Sequence, residues 1–127
     1  MRVFILEDDP ARQELLFAKL RGHEIYCIDS CAWIDTFQPP YDLILLDHDL
    51  GGRQFEEHED SGTRFAELIQ GKTGYARIIV HSYNPAGAER MCKILDLHDG
   101  DWIPFGSKAF WDAIESVARH VENSAQR

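Results

Sequence analysis

No apolar run in the 127-residue chain approaches the roughly 18 residues that a membrane span requires, so no membrane-crossing segment is expected. The amino terminus shows no basic stretch leading into an apolar segment and a small-residue cleavage site, because Val3 to Leu6 opens a strand at once. A secretory signal is therefore not expected, and the cytoplasm is the expected compartment. Cysteine is sparse: Cys27, Cys31 and Cys92 are odd in number and lack C-x-x-C spacing, which argues against a disulfide framework and a structural zinc site. Basic charge is short as well. Thirteen Lys and Arg face 22 Asp and Glu for a formal net charge of −9, a field that repels polyanions and argues against a protein that coats DNA or RNA. There is no internal repeat and no low-complexity tract. The length fits one domain over residues 1–127 with a single core.

What the chain does contain is three short apolar strands that each end in polar chemistry. Val3-Phe4-Ile5-Leu6 runs into Glu7-Asp8-Asp9, Leu43-Ile44-Leu45-Leu46 into Asp47-His48-Asp49, and Ile78-Ile79-Val80 into His81-Ser82. In an open parallel sheet the carboxyl ends of the strands lie along one edge, where ligands bind. Carboxylates, imidazoles and a hydroxyl would meet there, a composition suited to a divalent cation and a phosphate. Part of the negative charge then sits where a cation would neutralise it and reverse the field felt by a phosphate.

The rest of the pattern alternates strand and helix. Asp9-Pro10 caps a helix running to about Arg21, with Leu15, Leu16, Ala18 and Leu20 as its inner stripe and Gly22 as its stop. Glu24 to Ile28 is a second strand, followed by a brief helix through Trp33 and Phe37 that Pro39-Pro40 ends. Asp42 to Leu46 is apolar on consecutive residues, as in a central strand covered on both faces. Gly51 to Asp60 is a charged loop beside the site. Asp60 or Ser61 caps the next helix, Ala76 to Val80 is the fourth strand, Asn84-Pro85 opens a helix through Leu95, and Asp101 to Pro104 is a weak fifth strand. Ser107 caps a last helix, frayed after about Val121. The fold class is α/β, a five-stranded doubly wound parallel sheet with right-handed crossovers.

On these residues the chain resembles the receiver domain of two-component response regulators over nearly its whole length. The resemblance implies the flavodoxin-like strand order 2-1-3-4-5. It also implies Glu7 and Asp8 as the acidic pair, Asp47 as the phosphoacceptor-position carboxylate, Ser82 as the hydroxyl after the fourth strand, and a metal-binding backbone carbonyl at Asp49. The pattern departs where receivers carry a lysine before a proline, since Ile103 precedes Pro104, and also in having His48, Asp49 and an acidic insertion after Asp47 and His81 at a usually apolar position. Lys108, Arg53 and Arg90 are the cations considered as substitutes. The altered set, LDHDLGG with HSYNPAGAERM, is similar to the divergent cyclic-phosphate-processing receiver domains, which implies action on cyclic phosphate ends in nucleic-acid metabolism.

The chemistry open to these residues follows from their donor types. Carboxylate oxygens favour Mg²⁺ or Mn²⁺, and imidazole shifts preference toward Mn²⁺, Fe²⁺ or Zn²⁺. Asp8 and Asp47, with Asp9 or Asp49, are the oxygen candidates, joined by Glu7 from the resemblance; His48 and His81 are the nitrogen candidates. His81 is the better placed, directly after an apolar strand. In one expectation, an ion held by Asp8 and Asp47 polarises a phosphate ester, and His81 or His48 moves the proton, with Ser82 as a phosphate donor. In a second, Asp47 is a nucleophile that accepts a phosphoryl group and signals through a separate protein partner. In a third, the domain is a catalytically inactive interaction module. The acidic surface favours a phosphate-containing small molecule or a nucleic-acid end over long RNA. The oligomeric state is left open.

Overall fold

The computed structural model describes residues 1–51 and 58–125. Strands β1 (Arg2–Leu6), β2 (Glu24–Ile28), β3 (Leu43–Leu46) and β4 (Arg77–Val80) alternate with helices α1 (Pro10–Lys19), α2 (Gly62–Ile69), α3 (Pro85–Ile94) and α4 (Lys108–Ala125). Short 3₁₀ turns occupy Cys31–Thr36, where a brief helix was expected, and Asp99–Asp101. The strands are parallel in the order β2-β1-β3-β4. Among the described residues no helix is long and apolar enough to cross a membrane.

Side-chain alternation divides the core into two layers, since successive residues of a strand face opposite sides of the sheet. Phe4, Leu6, Ile44, Leu46, Ile78 and Val80 pack with Phe65, Ile69 and Met91 on the side of α2 and α3. Val3, Ile5, Leu43, Leu45 and Ile79 pack with Leu16, Phe110 and Ile114 on the side of α1 and α4. Every residue of β3 is fully buried, as consecutive apolar residues require. The α1 stripe is narrower than expected: Leu16 and Leu20 are buried, whereas Leu15 is half exposed. The last helix continues past Val121 to Ala125.

The expected fifth strand is absent. Asp99–Asp101 forms a 3₁₀ turn whose Asp101 carboxylate accepts from the His98 N–H and pairs with Arg77, so this segment is committed to a cap before a ladder can start. Beyond it, Trp102 makes an isolated parallel bridge with Val80. Ile103 N–H donates to Val80 O at 2.9 Å, Phe105 N–H donates to His81 O at 3.0 Å, and Pro104 between them has no N–H to give. Residues 102–105 thus run along the free edge of β4 without forming a strand. Trp102 Nε1–H, donating to Ser82 O at 2.7 Å, ties them down.

Helix caps aim the elements at the strand ends. The Asp9 carboxylate accepts from Ala11 N–H and Arg12 N–H ahead of α1, the Ser61 hydroxyl from Arg64 N–H ahead of α2, and the Asn84 carbonyl from Gly87 N–H ahead of α3. Helices α2 and α3 approach the end of β3 closely enough to need glycine. A Cβ on Gly62 would fall well inside 3.0 Å of Asp47 O, His48 Cα and Met91 Sδ, and one on Gly87 inside 3.0 Å of the His48 ring. In a solvent-facing helix, glycine to alanine stabilises by about 1 kcal/mol. Here the sign reverses. Gly87→Ala is expected to lower stability in urea denaturation by about 1–3 kcal/mol, and Gly62→Ala by more, because backbone cannot yield as a ring can.

Candidate functional site

The alternation that sorts the core also selects the site. Ile5, Leu45 and Ile79 stand in one row across β1, β3 and β4, facing α1 and α4. Two residues further along each strand, on the same side, come Glu7, Asp47 and His81. Their backbones remain tied to the sheet: Glu7 N–H donates to Ile28 O, Asp47 N–H to Leu6 O and His81 N–H to Leu46 O. All three are buried, and each offers one ligand atom within 4.8 Å of the others.

Within the row, Glu7 and His81 join over the intervening strand. His81 Nε2 lies 3.0 Å from Glu7 Oε1, both side chains are fully buried, and Glu7 Oε2 accepts from the Asp9 N–H at 3.1 Å. The imidazole packs against the rings of Phe105 and Phe110, and its Nδ1 is buried without a hydrogen-bond partner among the described residues. Asp47 Oδ1 accepts from His48 N–H at 2.9 Å, leaving Oδ2 toward the guanidinium of Arg12 at 3.9 Å. Arg12 Nη1 also lies 3.6 Å from Glu7 Oε1.

The two carboxylates are shifted in opposite directions. Burial pushes Glu7 up, but the hydrogen bond and charge of His81, the Asp9 N–H and Arg12 together hold it below its ordinary value. Burial also pushes Asp47 up, and here the charge of Glu7 adds to it; His81, the His48 N–H and Arg12 offset only part, so Asp47 stands at about 6. The site is short of positive charge. A divalent cation fits this donor set, two carboxylates and an imidazole already converged and incompletely neutralised.

The other candidates lie elsewhere. Asp8 is partly buried beside the row and outside the converged group. Asp9 is exposed and spends its carboxylate on the α1 cap. His48 alternates to the opposite side: its Nδ1 is 2.7 Å from Asp49 Oδ1 and 3.2 Å from Asn84 Nδ2, and its Nε2 is 3.1 Å from Thr63 Oγ1. Asp49 accepts from Asn84 Nδ2 as well, so His48 and Asp49 together brace α2 and α3. Ser82 is buried, its hydroxyl accepting from the Asn84 N–H at 3.0 Å; it is His81 that shares a row with Asp47. Ile103 packs against the α1 and α4 layer. Lys108 is almost fully exposed and paired with Asp112, and Arg90 is exposed on α3. Arg53 lies outside the described residues.

The cation that the sequence reading missed is Arg12. It is the third residue of α1, and a side chain in the first turn tilts back toward the helix N-terminus, hence toward the strand ends. Asp9-Pro10 fixes where that turn begins, so the signal lay in the cap two residues after Glu7, which places Arg12 in the first turn.

Asp47→Asn removes the charge that the fold tolerates least. A folded value near 6 against the ordinary 3.8 means that Asp47 costs stability as pH rises from about 4 through about 6, the reverse of Glu7, whose lowered value helps the fold above about 4.5. At pH 7 without divalent ions the Asn variant is expected to be more stable than wild type by an amount on the order of 1–3 kcal/mol. Millimolar Mn²⁺ or Mg²⁺ should raise the melting temperature of wild type and leave the variant unmoved. Thermal melts with and without EDTA at pH 5 and pH 7 check both statements.

Among solved structures the chain is similar to the response regulator protein TrrA of Thermotoga maritima, solved in complex with Mg²⁺ and BeF, at 23% identity and a TM-score of 0.64, covering 91% of this chain and 97% of that one. It is similar to the response regulatory domain of mrkE from Klebsiella pneumoniae at 19% identity and a TM-score of 0.66, with both chains covered in full. A CheY-like response regulator receiver domain protein from Methanospirillum hungatei JF-1 matches at 15% identity and a TM-score of 0.67, over 98% and 96% of the two chains. These likenesses show the receiver-like α/β fold. No curated protein matches the sequence. The family model described as cyclic-phosphate processing Receiver domain matches residues 7–97, which take in Glu7, Arg12, Asp47 and His81, and the chain belongs to that family.

Proposed function

We propose that the domain hydrolyses a phosphate ester with the help of a divalent cation, its substrate a cyclic phosphate on a nucleotide or an RNA end. The observation that carries this reading is the buried row of Glu7, Asp47 and His81, in which an imidazole is oriented by one carboxylate beside a second carboxylate that titrates near neutrality.

Opening a cyclic phosphate adds water across one P–O bond: the phosphorus gains an oxygen and the released ring oxygen gains a proton. Something must take a proton from water and something must deliver one. His81, held at Nε2 by Glu7, is the group offered to carry a proton, since the carboxylate orients the ring. Asp47 Oδ2, with its partner oxygen pinned by the His48 N–H, faces the Arg12 guanidinium and is the oxygen turned toward the reacting groups. Phe105 and Phe110 keep one flank of the imidazole dry, which strengthens its interaction with Glu7. Mg²⁺ or Mn²⁺, when bound by Glu7 and Asp47, would supply charge neutralisation for an incoming phosphate.

A second reading has its own support. Asp47 follows the third strand of a receiver fold with one carboxylate oxygen uncommitted to a hydrogen bond among the described residues, which suits a phosphoacceptor that signals through a separate protein.

Incubation with a 2′,3′-cyclic nucleotide and Mn²⁺ or Mg²⁺ distinguishes the two. Ring-opened monophosphate should form, EDTA should stop it, and His81→Gln, sized to keep the cavity filled, should lower kcat by about 10²–10⁴-fold. Absence of turnover, together with a phosphoryl adduct from a small phosphodonor that Asp47→Asn abolishes, would overturn hydrolysis in favour of signalling.

A further inference from the structure

Arg12 is held in a way that a simple counter-ion does not need. Its guanidinium carbon lies 4.6 Å from the centroid of Tyr83 and 4.9 Å from that of Phe105, a cation between two rings. The Tyr83 hydroxyl donates to Phe105 O at 2.6 Å, so the two aromatic walls are latched to each other. The carboxylates that Arg12 neutralises are near enough for charge but not for hydrogen bonding, at 3.6 Å from Glu7 and 3.9 Å from Asp47. The guanidinium is thus fixed by its faces while its side-chain N–H groups are committed to no hydrogen bond among the described residues. About a fifth of the side chain is open to solvent. Among the described residues the buried Nδ1 of His81 also lacks a hydrogen-bond partner.

We infer that Arg12 is the phosphate-contacting cation of this site, presenting its guanidinium edge to the oxygens of a phosphate or cyclic phosphate lodged beside Asp47. The ligand class rests on the phosphate-ester reading above; the contact rests on geometry. A planar fork matches two phosphate oxygens at once, and aromatic faces pre-organise it so that little motion is lost on binding. Glu7 and Asp47 together outweigh the one positive charge of Arg12, so the empty site repels an anion and phosphate binding requires a divalent cation first. Arg12 thus reaches the site from α1 and stacks on Phe105, while Ile103, before Pro104, offers no charge.

Inorganic phosphate and beryllofluoride binding to the full chain, by calorimetry with and without Mn²⁺, tests this. Wild type should bind both only with Mn²⁺ present. Arg12→Ala should weaken anion binding about 10- to 100-fold while holding Mn²⁺ as tightly or more so, because a competing cation has gone. Arg12→Lys, which keeps the charge and loses the fork, should fall between. If Arg12→Ala does not fold, Arg12→Gln carries the same comparison. Unchanged anion affinity in the variants, a wild-type protein that binds Mn²⁺ and no anion, or loss of Mn²⁺ binding along with the anion would each overturn the assignment. Turnover is read separately. Arg12-dependent phosphate binding without cyclic-nucleotide hydrolysis would remove the hydrolase reading and keep this contact.

Discussion

The hydrogen bond between Glu7 and His81 is the constraint around which the site is organised. It joins strands that are not neighbours, passing over β3, so Asp47 at the end of that strand lies between the two partners. Such a bond forms only when both residues fall on one face of the sheet at one level, and the parallel register puts them there. It also governs the charges. Glu7 gains enough from His81 to stay ionised in a fully buried position, and the charge it keeps is part of what raises Asp47. His81 thus holds Glu7 down, whereas at Asp47 burial outweighs His81 and raises the acid, the separation that acid–base chemistry near neutrality requires.

The opposite face has a different task. Buried His48 and Asn84 and partly buried Asp49 and Thr63 form a polar group that meets the N-terminal turns of α2 and α3, and Gly62 and Gly87 let both helices close on it. The polar pairs that end β3 and β4 are therefore split, one residue to the candidate site and the next to the scaffold. The scaffold half still matters to the chemistry: the His48 N–H fixes Asp47 Oδ1 and so determines which oxygen is left exposed to a ligand.

Much of this was legible in the residues. The three apolar strands, their polar ends and the caps at Asp9, Ser61 and Asn84 are local signals, and local signals carried the fold. The division between His48 and His81 was legible in principle as well, because Asp47 and His48 cannot face the same side of a strand and Ile79 and His81 must. The fifth strand was not. Its apolar content is two residues between an aspartate and a proline, and whether such a segment pairs depends on Asp101 being drawn to Arg77, a contact made by distant parts of the chain. Arg12 escaped for a related reason: its place in the site depends on how α1 packs and on rings contributed from residues 83 and 105. The part of the loop holding Arg53 lies outside the described residues.

What remains is why a small fold would bury two carboxylates around one imidazole. An apolar row at the same level would stabilise the metal-free protein more, since desolvating Asp47 is costly and only partly repaid. The arrangement makes sense if the folded state is completed by a ligand that brings positive charge, because whatever binds the native form and not the unfolded chain restores the stability that the empty site gives up. Arg12 supplies a fraction of that charge and keeps the two acids from repelling each other outright. It cannot complete the neutralisation at 3.6 and 3.9 Å without abandoning its rings. On the proposed reading that shortfall draws a divalent cation, and the cation in turn makes room for an anion.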